Sequence, residues 1–240
     1  MSSIDSHAPA HSEAEAAVPG SLGRRILDTF VSPGELFSRL GPTPPWLDVL
    51  ILAAVVTTVA MVLVPGEVWL ASSREALNNM TDPRAREAMD AETMARFSRI
   101  SAPIGAFIGT FVTVFVMAGL LKLLFGAMMG GEATFAQYRG VVSHAGLIST
   151  LGLVVTVPIW IATGDMTTQL SPALLAPDLP KGVVRSLLQA LAVFNIWWLA
   201  VVALGVAAVN RGKVSMLAAA GVIFGIFFAI SVVAGLIAGR

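Results

Sequence analysis

The chain has 240 residues, of which 56% are hydrophobic and only 12% are charged, against about 25% charged residues in an average soluble domain. Its formal net charge is zero and it contains no cysteine. Composition therefore excludes disulfides and thiolate metal sites, and it gives no basic field that would attract nucleic acid. Such a composition is typical of a membrane protein.

The chain begins with a polar segment, MSSIDSHAPAHSEAEAAVPG, which is rich in Ala, Ser and Pro and carries acidic residues. It lacks the charged start and the apolar centre of a signal peptide. A segment of this kind buries too little apolar surface to fold. We therefore predict a disordered N-terminal tail over residues 1–23, followed by one membrane domain over 24–240.

A short helix is predicted immediately before the first apolar run, over residues 32–41. Ser32 is a good N-cap residue, Pro33 suits the first helical position and Glu35 completes a capping box. Leu36, Phe37 and Leu40 would share one face, and so short a helix is not stable alone in water. We expect it to lie on the membrane surface with Phe37 buried in the interface, as an anchor that sets the angle of the first span.

Five apolar runs are each long enough to cross a bilayer, which requires about 20 residues. They are 46–64, 103–121, 141–163, 187–209 and 214–238. The predicted fold is therefore all-α, a polytopic membrane helical bundle with five transmembrane helices plus short interfacial helices. Trp46 is expected at headgroup depth, where an amphipathic ring is favoured.

The orientation follows from the loops. Five spans place the two termini on opposite sides of the membrane, and the short basic connections at 122–139 and 210–213 favour a cytoplasmic N-terminus. The long loop before the second span predicts a further amphipathic helix over about 82–100, since Asp82 and Pro83 form a helix start and Phe97 and Ile100 share a face. We expect that helix to lie flat on the membrane or to pack across the ends of the spans.

Catalytic patterns are missing from the sequence, which has no P-loop, no H-E-x-x-H and no G-x-S-x-G. We predict no catalytic, cofactor-binding or metal-binding residues and no cofactor. His144 is the titratable candidate within the spans, and a neutral, hydrogen-bonded structural role is favoured over a functional one. Asn195, in the fourth span, more often joins helices by a hydrogen bond than binds a substrate.

Small residues recur at close-packing intervals in the spans, as at Gly221 and Gly225. Small residues four apart let helices approach closely enough for dispersion to hold them together. Several such pairs predict a compact bundle and permit a homo-oligomer or a hetero-oligomer with other membrane proteins.

The chain resembles the Yip family, the Ypt/Rab-interacting membrane proteins, and in particular its bacterial members. Four pieces carry the resemblance in order over roughly residues 24–238: FVSPGELFSRL with PPWLDVLILAAVV, then GGEATFAQYRGVVSHAGL, then LLQALAVFNIWWLAVVALGVAAV, and finally a small-residue span after a basic turn. The resemblance implies a five-span bundle with a cytoplasmic N-terminus. Eukaryotic relatives bind prenylated Rab GTPases and act in vesicle trafficking or membrane shaping.

Two departures from the eukaryotic pattern put binding of a Rab-type GTPase in doubt. No DLYGP motif precedes the first span, and His144 stands where many relatives have an aromatic residue. The Cys-free composition, rich in Ala, Gly and Val, suits a bacterial inner membrane.

The main functional hypothesis is a non-enzymatic integral membrane protein, a scaffold or membrane-organising subunit that works through helix packing in the lipid bilayer. The first alternative is a small-solute transporter or channel component, for which His144, Asn195, Thr110 and Thr113 would line the path. The second alternative is an intramembrane enzyme, which is disfavoured because no acid–base pair is visible.

Overall fold

The computed structural model describes residues 20–80 and 82–239. The described residues form ten α-helices and no β-strand. The helices are α1 (Leu22–Val31), α2 (Pro33–Ser38), α3 (Leu47–Val62), α4 (Gly66–Asn78), α5 (Pro83–Glu87), α6 (Ala91–Leu121), α7 (Phe135–Thr163), α8 (Val183–Ala190), α9 (Val193–Val209) and α10 (Met216–Ala238). A π-helical stretch, Lys122–Met128, extends α6, and a 3₁₀ turn, Pro172–Leu175, precedes α8.

The predicted tail lies almost wholly outside the described residues, since its first 19 residues are not among them. Its last residues are helical, because α1 begins at Leu22 and is capped by Ser21, whose hydroxyl accepts the Arg24 backbone N–H at 3.4 Å. The folded chain therefore starts before residue 24, where the sequence placed the boundary.

Three helices are long and apolar enough to cross a membrane: α6 with its π-helical extension, α7 and α10. Two further crossings arise if each of two bent helix pairs is one span, namely α3 with α4, bent by 85°, and α8 with α9, bent by 64°. The all-helical membrane bundle is confirmed, with between three and five spans.

The bundle has two ends, which the contacts between connecting segments define. At the amino-terminal end, Arg25 of α1 reaches His144 of α7, and Glu132 pairs with Lys213. At the opposite end, the Lys181 ammonium donates to the Asn79 side chain at 2.6 Å. Gly239 also lies against Gly182 there. The first and last described helices therefore finish at opposite ends of the bundle.

The predicted surface helix over 82–100 is not a separate element, which corrects that prediction. Helix α5 ends at Glu87, and the Asp90 carboxylate then accepts the Thr93 backbone N–H at 2.9 Å and starts a new helix. That helix, α6, runs through Pro103 into the second span without a break. Its exposed first turns are the amphipathic segment seen in the sequence, where Phe97 is 71% exposed.

The fourth span is not one helix over 187–209, which is a second correction. The chain turns at Ala192, whose ψ of 137° is not helical. The Val193 N–H donates to the Leu170 carbonyl at 3.0 Å, a partner outside the helix. Helix α8 thereby leaves the axis of α9 and packs against α10, where Gly235 lets the Val183 backbone approach closely.

The short helix before the first span is α2, which ends at Ser38 rather than at residue 41. The predicted capping box is wrong, because the Ser32 side chain makes no cap hydrogen bond and the Glu35 carboxylate pairs with Arg39 at 2.9 Å. The expected membrane-surface burial is also wrong, since Phe37 is 1% exposed and lies in the main core of the protein. Helix α2 packs on α9, so protein rather than lipid covers its apolar face.

Helix α7 forms the centre of the bundle and begins earlier than the predicted third span. Thr134 and Gln137 make a complete capping box before its first turn. The helix continues through Gly152 and Pro158. His144 therefore lies in the third helical turn, well inside the protein, rather than in the first turn of a span.

Candidate functional site

The Arg25 side chain forms a polar cluster with Asp48 and His144 at the amino-terminal end of the bundle. Helix α1 carries Arg25 inward, where the residue is only 5% exposed. Its guanidinium donates to both carboxylate oxygens of Asp48 at the start of α3, and also to the Gly20 carbonyl at 3.1 Å. Paired and hydrogen-bonded in this way, the buried charge is compensated.

His144 completes this cluster from α7 and is fully buried. Its Nδ1 lies 2.8 Å from the Gly140 carbonyl oxygen, and its Nε2 lies 3.4 Å from Arg25 Nη1. Because a carbonyl only accepts, Nδ1 carries the proton, and Nε2 offers its lone pair to the arginine. Both ring nitrogens are engaged, so the imidazole is a neutral link between α7 and α1.

A second polar centre surrounds Asn210, the residue that follows α9. Asn210 is 1% exposed. Its Oδ1 accepts from the Ala133 backbone N–H at 3.2 Å, while its Nδ2 donates to the Val206 carbonyl at 2.7 Å and to the Tyr138 hydroxyl at 3.0 Å. One amide group thereby joins α9, α7 and the segment before α7.

Arg139, in the second turn of α7, has three aromatic rings around its guanidinium. Its guanidinium carbon is 4.0 Å from the Trp46 ring centroid, 5.6 Å from that of Phe115 and 5.9 Å from that of Phe135. Its Nε is buried and has no hydrogen-bond partner among the described residues. A cation over ring faces is attracted by the ring quadrupoles, but ring faces give its Nε–H no conventional hydrogen-bond acceptor.

A groove of about 480 Å³ opens beside this cation. Arg139, Trp46, Asp48 and Ile51 are among its lining residues, together with the Pro44–Pro45 turn. The groove lies at the amino-terminal end of α3, where Trp46 precedes the helix and also packs edge-on against Phe115.

Comparison with known proteins identifies the family. The model of the Yip1 domain matches residues 27–238. This chain belongs to the Yip1 domain family. It is also 29% identical over 217 residues to a protein of Bacillus subtilis (strain 168) named membrane protein YknW, an alignment that covers 88% of this chain and 90% of that protein. No solved structure matches the chain.

The resemblance seen in the sequence is thus confirmed, and the chain is a membrane protein with a Yip1 domain. Neither the family description nor the relative's name is that of an enzyme. Within the described residues, no group of three or more His, Asp or Glu side chains could hold a metal ion.

The candidate residues from the sequence occupy different environments in this Yip1 domain. Phe37 and His144 are in the core, and Trp46 is half-buried at the groove. Asn195 is half-buried in the first turn of α9, in a depression lined also by Thr156 and Gln169. The fold brings Trp46 and His144 to the same end of the bundle and leaves Asn195 near the other end.

Gly221 and Gly225 do not mark a close helix contact within this chain. Both are exposed on α10, and a Cβ added at either would meet no atom within 4 Å. The glycines that do permit close approach are elsewhere, as at Gly205, where an added Cβ would overlap Val141 and lie 3.1 Å from Phe37.

Sequence reasoning missed Arg25, Arg139 and Asn210, which build the polar part of the site. Arg25 lies next to the predicted tail, and Asn210 lies in the short basic connection at 210–213, which by itself indicates only the orientation. The sequence signal that could have identified the arginines is their position beside apolar runs. An arginine there must either reach the membrane surface or pair with an opposite charge.

Proposed function

We propose that this Yip1 domain protein is a non-enzymatic scaffold of the bacterial cell membrane that binds other membrane proteins, or a second copy of itself, through lipid-facing helix surfaces. The observation that carries the proposal is the outer face of α10. Gly221, Gly225 and Ala229 are spaced four residues apart there, and all three are exposed. In lipid, such a row lets a second helix approach to backbone distance.

The position of α10 supports this assignment. Among the described elements it packs chiefly on α8 and α9, and large apolar side chains flank the small residues on its outer side, where Ile230 is 62% exposed and Val233 is 56% exposed. A partner helix would find a shallow groove of small residues bounded by ridges, which is the shape that helix pairs in membranes use.

A path for solutes has less support. Several hydroxyl groups within the spans donate to carbonyls of their own helix, as Thr58 does to Ala54, Thr110 to Ala106 and Thr156 to Gly152. The centre of the bundle is filled by large buried side chains, among them Leu50, Phe125, Tyr138 and Ile148. Transport pathways are instead lined by polar or ionisable groups that face a water-filled cavity.

An enzymatic role has equally little support, because the polar groups of the Arg25 cluster and of the Asn210 centre are bonded to protein partners. His144 uses both ring nitrogens for protein partners, and Asn210 uses both its oxygen and its nitrogen. A general base needs a free nitrogen or oxygen within reach of a substrate proton. The Rab-type partner of eukaryotic relatives is not part of this proposal.

The test is association in the membrane. We expect the Gly221→Leu/Gly225→Leu variant to lose cross-linked and co-purifying membrane proteins by about tenfold, since bulky side chains abolish a small-residue helix contact. The matched control is Gly105→Leu/Gly109→Leu, which has the same spacing on α6 and equally open surroundings. Equal recovery of partners from both variants would contradict the proposal.

Flux measurements separate this function from transport. We expect proteoliposomes containing the protein to show no proton leak to an internal pH dye and no glycerol-driven swelling above that of protein-free vesicles. Flux in the unmodified protein that disappears in His144→Leu/Asn195→Leu would instead establish a solute pathway.

A further inference from the structure

Arg139 is a cation without an anion. No carboxylate of the described residues lies within 4.0 Å of its guanidinium, and its Nε has no hydrogen-bond partner among them. The aromatic rings around it exclude water from one side but accept no conventional hydrogen bond. A planar guanidinium placed at a groove with free donors is suited to bind a phosphate or carboxylate through two parallel bonds.

The charge of the groove favours an anion. Asp48 also lines the groove, but both its oxygens accept from Arg25. His144 is neutral by its hydrogen bonding, and Asp28 is paired with Arg24 at 3.0 Å. Among the described residues that line the groove, Arg139 carries the charge that these pairings leave uncompensated, so an anionic group would complete the site.

The position of the groove selects the class of anion. The groove begins at the turn before α3 and continues down to Ile51, with Trp46 at its rim. Trp rings and arginines at the end of a span lie at the level of lipid headgroups. An anion that reaches Arg139 at that level from within the bilayer is the phosphate of a membrane phospholipid.

The surface below the groove suits an acyl chain. Leu47, Ile51, Val55 and Val59 follow one another at four-residue intervals along α3, and each is 43% to 51% exposed. Their row leads to a second, apolar groove of about 450 Å³ between α3 and α7, lined by Val55, Val59, Leu63 and Ile161 among others. From Ile51 to Leu63 the helix rises about 18 Å, close to the roughly 15 Å of hydrocarbon in one leaflet.

We propose that this protein holds one phospholipid at a defined site, with the lipid phosphate bound to Arg139 and an acyl chain laid along α3 into the groove against α7. The site is independent of the α10 face and of any protein partner. It would make one annular lipid a fixed part of the structure and join α3 to α7 through that lipid.

The test measures phospholipid bound to delipidated protein in detergent by native mass spectrometry, with dioleoyl phosphatidylglycerol as the probe. We expect Arg139→Gln to weaken the apparent Kd by about tenfold or more, because a charge-assisted bidentate contact is lost. The matched control is Arg211→Gln, which removes an exposed arginine at the same end of the bundle and should bind as the unmodified protein does.

A second pair of variants leaves Arg139 in place and guards against misfolding. Ile51→Trp fills the groove from an exposed position and should also abolish retention of the lipid. Val62→Trp, on the same helix and 59% exposed, should not. Glycerol 3-phosphate, which has the phosphate but no acyl chain, should displace the lipid only at a large excess.

Three results would overturn the proposal. One is retention of lipid by Arg139→Gln or by Ile51→Trp at the level of the unmodified protein. Another is an equal loss in Arg211→Gln, which would indicate nonspecific attraction by surface charge. The third is displacement by glycerol 3-phosphate at concentrations equal to that of the lipid, which would indicate a site for a free phosphate.

Discussion

Asn210 shows how much one polar side chain can organise inside a membrane bundle. A residue at the end of a helix normally finds water, but this one is closed off by Tyr138 and by the segment before α7. Gly131 makes this closure feasible, because a Cβ there would collide with the Asn210 amide and with the Phe125 carbonyl. The amide therefore holds three parts of the chain at fixed distances.

Replacing Asn210 by Ala should lower the free energy of unfolding by about 2–4 kcal/mol, since it leaves the Ala133 N–H and the Tyr138 hydroxyl buried without partners. Asn195→Ala is the control, because the half-buried Asn195 side chain makes no hydrogen bond to a described residue and should change the free energy by less than about 0.5 kcal/mol. Thermal unfolding in detergent measures both. Similar shifts in the two variants would contradict the assigned role of Asn210.

Two paired arginines near the start of the folded chain should differ in their contributions to the free energy of unfolding. Arg39→Ala removes an ion pair with Glu35 in which both side chains are exposed, and it should cost less than about 1 kcal/mol. Arg25→Ala leaves His144 Nε2 without a hydrogen-bond donor and Asp48 without its ion-pair partner. We therefore expect the free energy of unfolding to fall by about 1–3 kcal/mol. The loss should not exceed this range, because the Asp48 side chain is 42% exposed and water can solvate its unpaired carboxylate. Chemical unfolding of the two variants under the same conditions measures both losses. Equal losses would mean that Arg25 does not hold α1 against α3 and α7.

Among the elements, α2 depends most on a neighbour's small residue. It has six residues, too few for a stable helix in isolation. Its Phe37 side chain packs where Gly205 of α9 and Val141 of α7 come together. The short helix exists because the bundle supplies an apolar site for it, rather than because its own hydrogen bonds suffice.

Gly205→Ala should therefore destabilise the protein by about 1–3 kcal/mol through overpacking against Val141 and Phe37. Gly109→Ala, on α6, adds the same methyl group in open surroundings and should be neutral or slightly stabilising. Melting temperatures in one detergent compare them directly. In Gly205→Ala we also expect faster proteolysis within 22–45, because α1 and α2 would dock less tightly. Protection equal to that of Gly109→Ala would argue against this packing.

At the scale of the whole molecule, three to five spans run between the two ends of the bundle. The amino-terminal end carries the Arg25 cluster, the Asn210 centre and the Arg139 groove together. The opposite end carries α4, α8 and the segment between α7 and α8, and it is joined by surface contacts such as Lys181 to Asn79. Both buried polar centres therefore lie at the amino-terminal end of the bundle.

This asymmetry gives a topology test that the cysteine-free chain makes simple. Ser38→Cys lies at the amino-terminal end and Asp178→Cys at the opposite end, and both positions are exposed. With a cytoplasmic N-terminus, a membrane-impermeant maleimide should label Asp178→Cys in intact cells and Ser38→Cys only after permeabilisation. The reverse pattern would invert the orientation, and equal labelling would contradict the separation of the two ends.

The sequence by itself determined that the chain folds in the hydrocarbon of a membrane and that its fold is all-helical. Uncharged apolar runs of about 20 residues have only one low-energy arrangement, which is a helix in hydrocarbon, because every backbone group must be bonded within its own segment. The family could be read from the order of its motifs for the same reason, since spans and caps recur at fixed spacing. The start of α10 after Ser215 is equally local, as the Ser215 hydroxyl accepts the Ala218 N–H at 3.1 Å.

Only the tertiary structure decided what the segments at the ends of the spans do. The apolar face of α2 could be covered by lipid or by protein, and the choice depended on the space that Gly205 leaves on a helix about 170 residues later in the chain. The bend at Ala192 depended on the distant carbonyl of Leu170, and the burial of Arg25 depended on Asp48 and His144. Local sequence cannot specify these outcomes, because each is the free energy of a contact between residues that are far apart in the chain.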